Sequence, residues 1–209
     1  MFLPACFEET DPVVLQDLIQ HFPLGTLITQ ADGLLQANHL PFEFEVGEDV
    51  RCLKAHIARA NPLLTHLHSG AEVLVVFQAE QAYISPNWYT AKAQHHREVP
   101  TWNYRVVHVR GKIQWIEDER FLRGLLARLT RQHESTQAIP WKMSDAPADY
   151  IAENLKHIMG IEIQIESMIG NFKLSQNKTN VDRHQVATQL DQLGHHQMAE
   201  QVRLCIEQE

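Results

Sequence analysis

Only three cysteines occur in the 209 residues: Cys6, Cys52 and Cys205. The count is odd and no pair has CxxC spacing. Neither a disulfide framework nor a thiolate zinc site is indicated, and a reducing cytoplasm is the expected setting. No apolar run approaches the roughly 20 residues of a membrane span. The opening MFLPACFEETDP has neither a basic head nor a long apolar stretch, so it is read as carrying no secretion signal. Cations are scarce as well. Eighteen Lys and Arg against 26 Asp and Glu leave a formal charge of −8, which argues against a broad nucleic-acid footprint. The densest basic group, Arg120, Arg123, Arg128 and Arg131, is the one face on which DNA could be read, and no helix-turn-helix is evident. Rossmann and Walker glycine patterns are missing, which excludes a glycine-loop nucleotide site. A GxSxG elbow is missing too, which removes the commonest serine-hydrolase reading. The 13 histidines contain no HExxH, and the pairs His66/His68, His95–His96 and His195–His196 lack a third ligand at diagnostic spacing, so no metal is assigned.

What is present reads as a succession of strands joined by short turns, with helices inserted and appended. Asp11-Pro12 predicts an N-cap and first helical residue, and Val14, Leu15, Leu18, Ile19 and Phe22 recur at helical spacing up to Pro23. Gly25 to Thr29, a break at 31–33, and Leu34 to Phe44 predict a hairpin around Asp32-Gly33. Val46 to Asp49 predicts a turn, Arg51 to Ile57 alternates like a half-buried strand, and Asn61-Pro62 opens a short helix through His68. Glu72 to Ala79 is apolar and β-branched, as suits a central strand. Asn103 to Ile116 is read as a second hairpin turning at Arg110-Gly111-Lys112. Glu117 to His133 predicts an amphipathic helix, Ala148 to Met159 a further helix, and Gly160 to Ile169 the last strand. Asp182 is read as the cap of a terminal helix pair joined near Gly194. The pattern predicts an α+β fold, an antiparallel split β-barrel with flanking and C-terminal helices. One domain, residues 1–209, is expected, with a helical extension over about 182–209.

The most distinctive stretch is Tyr83 to Tyr104, YISPNWYTAKAQHHREVPTWNY. Flat rings recur among turn residues at Tyr83, Trp88-Tyr89 and Trp102-Asn103-Tyr104. Indoles and phenols bury rigid area while keeping a polar edge, which suits a flat polar ligand, and equally suits packing under a loop. A second stretch, NFKLSQN, sets Lys173 beside Ser175, Gln176 and Asn177, donors and acceptors fit for a phosphate or a heterocycle edge. Asn38-His39-Leu40-Pro41-Phe42 is a third. In the fourth, Lys54 and His56 share a strand face by the period of two, with Arg59 and Asn61 following at the strand-to-helix junction. That set could bind a phosphate or form a solvated strand face.

Taken in order, HLPF, KAHIARANP, YISPNWY, VPTWNY and KLSQNK followed by Asp182-Arg183 resemble the PaiB family of FMN-binding negative transcriptional regulators, from about Leu3 to the C-terminal helices. The family is similar in fold to the split-barrel flavoproteins that include pyridoxamine 5′-phosphate oxidase. The resemblance implies a six-stranded split barrel and a homodimer with FMN in a groove between the subunits. It implies that Asn38, His39 and Leu40 line the flavin, that His56, Arg59 and Asn61 take the phosphate end, and that Ser85, Trp88, Tyr89, Thr101, Trp102 and Asn103 wall the isoalloxazine. Lys173, Gln176 and Asn177 would close the groove. The chain departs from the family pattern at Asn87, Thr90 and His95-His96-Arg97, all at the loop lip, which bears on substrate choice more than on flavin binding.

The function expected is therefore an FMN-binding protein, either a weak flavin-dependent oxidoreductase or a redox or regulatory protein. No residue is nominated as a general acid or base beyond the candidates His39 and His95–His96, chosen because imidazole titrates near neutrality. The alternatives are a transcriptional regulator acting through DNA or a protein partner, a haem-binding split barrel, and a barrel whose ancestral groove has decayed.

Overall fold

The computed structural model describes residues 1–31, 33–47, 50–90, 92 and 96–207. The chain forms two compact units: residues 1–18, 78–108 and 169–209 in the first, and 19–77 and 109–168 in the second. Its strands are β1 (Glu8–Glu9), β2 (Leu24–Ala31), β3 (Leu34–Pro41), β4 (Glu43–Val46), β5 (Arg51–Ala58), β6 (Glu72–Ile84), β7 (Thr101–Ile116) and β8 (Ile158–Lys173). The helices are α1 (Pro12–His21), α2 (Leu63–His66), α3 (Glu119–Glu134), α4 (Ala148–Leu155), α5 (Asn180–Gln192) and α6 (His196–Glu207). The sheet order is β3-β2-β6-β7-β8-β5-β4, with β1 added to β8, and β6, β7 and β8 each give one end to each unit. Eight strands stand where the resemblance implies six, two of them the short β1 and β4.

In the second unit the hydrogen-bonding order begins with β3 and ends with β4, yet Phe42 alone separates these strands in sequence. Two edges that far apart in the sheet and one residue apart in the chain require the sheet to curl round on itself. This is the α+β split-barrel fold expected from the sequence. Phe42 is 2% exposed and meets Phe77 edge to face at 5.7 Å. Leu27, Leu53, Ala55, Val75, Val109, Ile113, Ile161 and Ile163 fill the interior around them. The β2–β3 hairpin runs in register to Ala31↔Leu34, with Gly33 at φ +76°; Asp32 lies outside the described residues. The predicted turn after Val46 leads into β5 through Gly47, whose N–H bonds the Val50 carbonyl at 2.9 Å, while Glu48 and Asp49 are likewise outside the described residues. In α3, Asp118 caps the Phe121 N–H at 2.8 Å, and Leu122, Leu125 and Leu129 are buried at helical spacing.

The hairpin expected at Arg110-Gly111-Lys112 does not exist. β7 runs unbroken through Gly111, and a Cβ there would stand 2.1 Å from the Gln164 carbonyl oxygen of β8. The glycine is required because two backbones approach closely, not because the chain turns. The last strand is also longer than expected: α4 stops at Leu155, and β8 starts at Ile158, taking in residues read as helix.

In the first unit, Leu15 and Leu18 of α1, Ala82 and Ile84 of β6, and Phe172 of β8 are buried. In the same unit Val186, Ala187 and Leu190 of α5, with Met198, Ala199 and Val202 of α6, are buried at helical spacing. The α5 cap is Thr179, which accepts from the Asp182 N–H, so Asp182 is the third helical residue and not the cap the sequence suggested.

Candidate functional site

The expected site residues fall into two sets, one in each unit. In the second unit, β3 supplies Asn38, His39 and Leu40, β5 supplies His56, and the strand-to-helix junction supplies Arg59 and Asn61. Asn61 knits this set together. Its side-chain amide donates to the Asn38 side-chain Oδ1 at 2.9 Å, and its own Oδ1 accepts from the Leu63 N–H that starts α2, also at 2.9 Å. His56 alternates with the buried Ala55 and Ile57, and its Nδ1 is enclosed without a partner. Burial pulls its pKa below the ordinary histidine value, so the ring is neutral at pH 7.

The other charges here are compensated by protein carboxylates. Lys54 bonds Glu45 at 2.6 Å with Glu162 at 3.9 Å. Burial opposes its ammonium form, but the Glu45 bond and the surrounding acids hold its pKa above the usual value. Arg59 pairs with Glu117 at 2.9 Å. On α3, Arg123 pairs with Glu119 at 2.7 Å, and Arg128 meets Glu43 through two bonds of 2.6 and 2.8 Å. The arginine-rich helix face is therefore partly neutralised.

The first unit gathers the aromatic and NFKLSQN stretches. Ser85 accepts from the Asn87 N–H at 3.2 Å, and Pro86 begins the 3-10 turn Pro86–Trp88 that ends β6. Tyr89 is buried, and burial raises its pKa, with the Ser175 hydroxyl working the other way. Lys178 lies over the Tyr89 ring at 4.6 Å and is ion-paired with Glu98. Trp102 and Tyr83 meet edge to face at 6.1 Å, and each residue is about half exposed. Asn103 is fully buried and exchanges hydrogen bonds with Ser175, at 3.0 and 3.2 Å. Ser175 sits at φ +68°, a left-handed backbone that serine rarely adopts, so Asn103 anchors a tight loop.

Lys173, the last residue of β8, bonds the Thr101 hydroxyl. Burial pulls its pKa down, and Lys178 adds to the effect. Among the described residues no carboxylate pairs with Lys173. Gln176 folds back on its own backbone, accepting from Leu174 N–H at 2.7 Å and donating to the Phe172 carbonyl; Asn177 is exposed. Of the histidine candidates, His39 is exposed on β3, His96 bonds the Lys92 carbonyl through its N–H at 3.0 Å, and His95 is outside the described residues.

Two features escaped the sequence reading. Glu80 and Arg105 form a buried two-point ion pair at 2.8 and 3.0 Å, with Arg105 over the Phe172 ring at 5.3 Å. Thr90 gives both its N–H and its hydroxyl to Asp182 at 2.7 Å. Strand parity was a usable signal for Arg105, which shares a face with Asn103, Val107 and Val109. No local signal announced Thr90.

A family model described as a "Putative FMN-binding domain", FMN_bind_2, matches residues 1–167. The chain belongs to this family. It is 32% identical over 190 residues to the protease synthase and sporulation protein PAI 2 of Bacillus subtilis, covering 91% of this chain and 89% of that one. An uncharacterised protein of Emericella nidulans is 33% identical over 230 residues, covering 93% and 92%. Among solved structures, the FAD and haem binding protein from Mycobacterium smegmatis aligns with a TM-score of 0.60 at 21% identity, covering 80% of this chain and 73% of that one. The flavocytochrome Anf3 from Azotobacter vinelandii gives 0.60 at 13%, covering 79% and 69%. At such identities these likenesses show the fold. Both the PaiB resemblance and the FMN cofactor that it implies stand on the family match. Among the described residues no helix is long and apolar enough to cross a membrane.

Proposed function

We propose that this FMN-binding protein is a flavin-dependent redox or regulatory protein that holds FMN in a groove at the interface of a homodimer. The observation that carries the reading is Lys173: a half-buried ammonium bonded to a neutral hydroxyl, with no carboxylate partner among the described residues. A cation left in that state suits a ligand edge that is electron-rich or gains negative charge. When bound, FMN supplies hydride and single-electron chemistry. Thr101 orients Lys173, while Trp88 and Trp102 offer flat faces, and Ser85 sets the turn that carries Trp88 next to the buried Tyr89. Asn103 and Gln176 act through the loop they hold, and Asn177 stands at its exposed edge.

The phosphate is assigned to Arg59, Asn61 and His56, with Asn38, His39 and Leu40 alongside. The enclosed, unpaired Nδ1 of His56 fits a polar ligand, and neutral imidazole can still donate a hydrogen bond. An anion reaching Arg59 has to displace Glu117, which is 74% exposed; pairs of that kind hold weakly, so the exchange costs little. Direct DNA contact draws no support from α3, where Arg123 and Arg128 are engaged by carboxylates.

Titration of the purified chain with FMN, followed by quenching of flavin fluorescence, tests the reading. Arg59→Ala and Lys173→Met should each weaken binding about tenfold or more, the loss of one charge-assisted contact. Unchanged affinity in Arg59→Ala would sink the phosphate assignment, and unchanged affinity in Lys173→Met the ring assignment. Glu117→Gln should tighten binding by releasing Arg59.

A further inference from the structure

Asp182 is 2% exposed at the third position of α5, where the helix dipole already favours a negative charge. One carboxylate oxygen accepts from the Thr90 N–H and the Thr90 hydroxyl, both at 2.7 Å. The other accepts from the Thr179 hydroxyl at 3.0 Å, and that hydroxyl accepts from the Asp182 N–H at 3.2 Å. The carboxylate is thus held from its own helix and reaches out to Thr90, 92 residues away in sequence.

Thr90 directly follows Trp88-Tyr89. The N–H bond to Asp182 sets the peptide plane between Tyr89 and Thr90, and the hydroxyl bond sets the side chain. Upstream, Trp88 N–H bonds the Ser85 carbonyl and Tyr89 N–H the Pro86 carbonyl, each at 3.2 Å. A second fastening is Lys178, seated on the Tyr89 ring and held by Glu98. Both anchors, Lys178 and Asp182, lie beyond residues 1–167, the part that matches the family model. We propose that Asp182 is a positioning residue for the cofactor: through Thr90 it sets the Trp88–Tyr89 turn, and so ties flavin retention to the docking of the α5 N-terminus. The proposal rests on the flavin reading above.

Hydrogen bonds to a buried carboxylate are among the stronger neutral–charged contacts, and a site that must meet a rigid ring loses affinity when its wall shifts by a fraction of an ångström. Thr90→Val removes the hydroxyl and keeps the N–H, whereas Thr90→Ser keeps both donors. The full chain carrying Thr90→Val, Thr90→Ser or Asp182→Asn is titrated with FMN, with the visible circular dichroism of the bound flavin and a thermal melt recorded in parallel. Asp182→Asn and Thr90→Val should weaken FMN binding about tenfold and change the flavin dichroism, and Thr90→Ser should restore both. A carboxylate that only staples the C-terminal helices would lower the melting temperature and leave the affinity and dichroism of both variants at the wild-type level, which overturns the proposal. If Asp182→Asn fails to fold, the Thr90 pair decides by the same criterion. Failure of the unaltered chain to bind FMN is a different result, since it removes the flavin reading and this proposal together.

Discussion

His56 shows how burial at one residue becomes a pH dependence. Desolvation lowers its pKa below the ordinary 6.5, so the unfolded chain takes up a proton near pH 6.5 that the folded chain refuses. The contribution to stability is complete above pH 6.5 and is lost as the pH falls from there through the folded pKa. Melting temperatures recorded from pH 8 down to 5 should fall more steeply for the wild type than for His56→Gln; parallel curves would show that the site is not a buried neutral base. Arg105 makes a second residue-scale case. Its side chain is 11% exposed and that of Glu80 is 8% exposed, so removing either partner strands a buried charge and should cost about 3–5 kcal/mol. The double change Arg105→Met with Glu80→Met should recover most of that loss in a denaturant melt. The family resemblance sets Asn103 and Gln176 at a flavin groove; in the structure Asn103 bonds Ser175, and Gln176 bonds the backbone of Leu174 and Phe172. Side-chain chemistry says what a residue can bond and leaves open which of its neighbours it meets first.

At the scale of elements, local codes worked where the decision is local. Asp11 before Pro12 predicted the start of α1, and the Asp11 carboxylate does accept from the Val13 N–H at 2.8 Å. The apolar spacing of α3 was equally legible, and Asp118→Ala should cost about 1 kcal/mol by removing its cap, measured as a shift in unfolding midpoint. β7 was misread because glycine between basic residues carries the same signal for a turn as for a close backbone approach. Gly111→Ala distinguishes these meanings. A methyl 2.1 Å from a backbone oxygen forces strands apart and should destabilise by about 3 kcal/mol, whereas a turn glycine with ordinary φ would tolerate alanine. Asp182 was misassigned for a related reason: Thr179 and Asp182 both have capping chemistry, and only the path of the chain shows which precedes the helix and which faces Thr90.

For the whole molecule, the proposal of a homodimer predicts a particle of twice the 24.1 kDa chain mass in light scattering, and a monomer at micromolar concentration would refute the shared groove. Closure of the barrel in the second unit predicts that Phe42→Ala, at the one-residue link between β3 and β4, costs about 3–5 kcal/mol. The sequence by itself determined most of the helices and strands and the family, because caps, strand alternation and long motifs are written over a few neighbouring residues. Only the tertiary structure decided which of those polar groups answer one another. Asn103 finds Ser175 across 72 residues and Thr90 finds Asp182 across 92, and no local preference encodes a partner at that range. It decided too that Arg59 and Lys54 are met by carboxylates while, among the described residues, Lys173 is not, since charge compensation depends on which strands lie side by side.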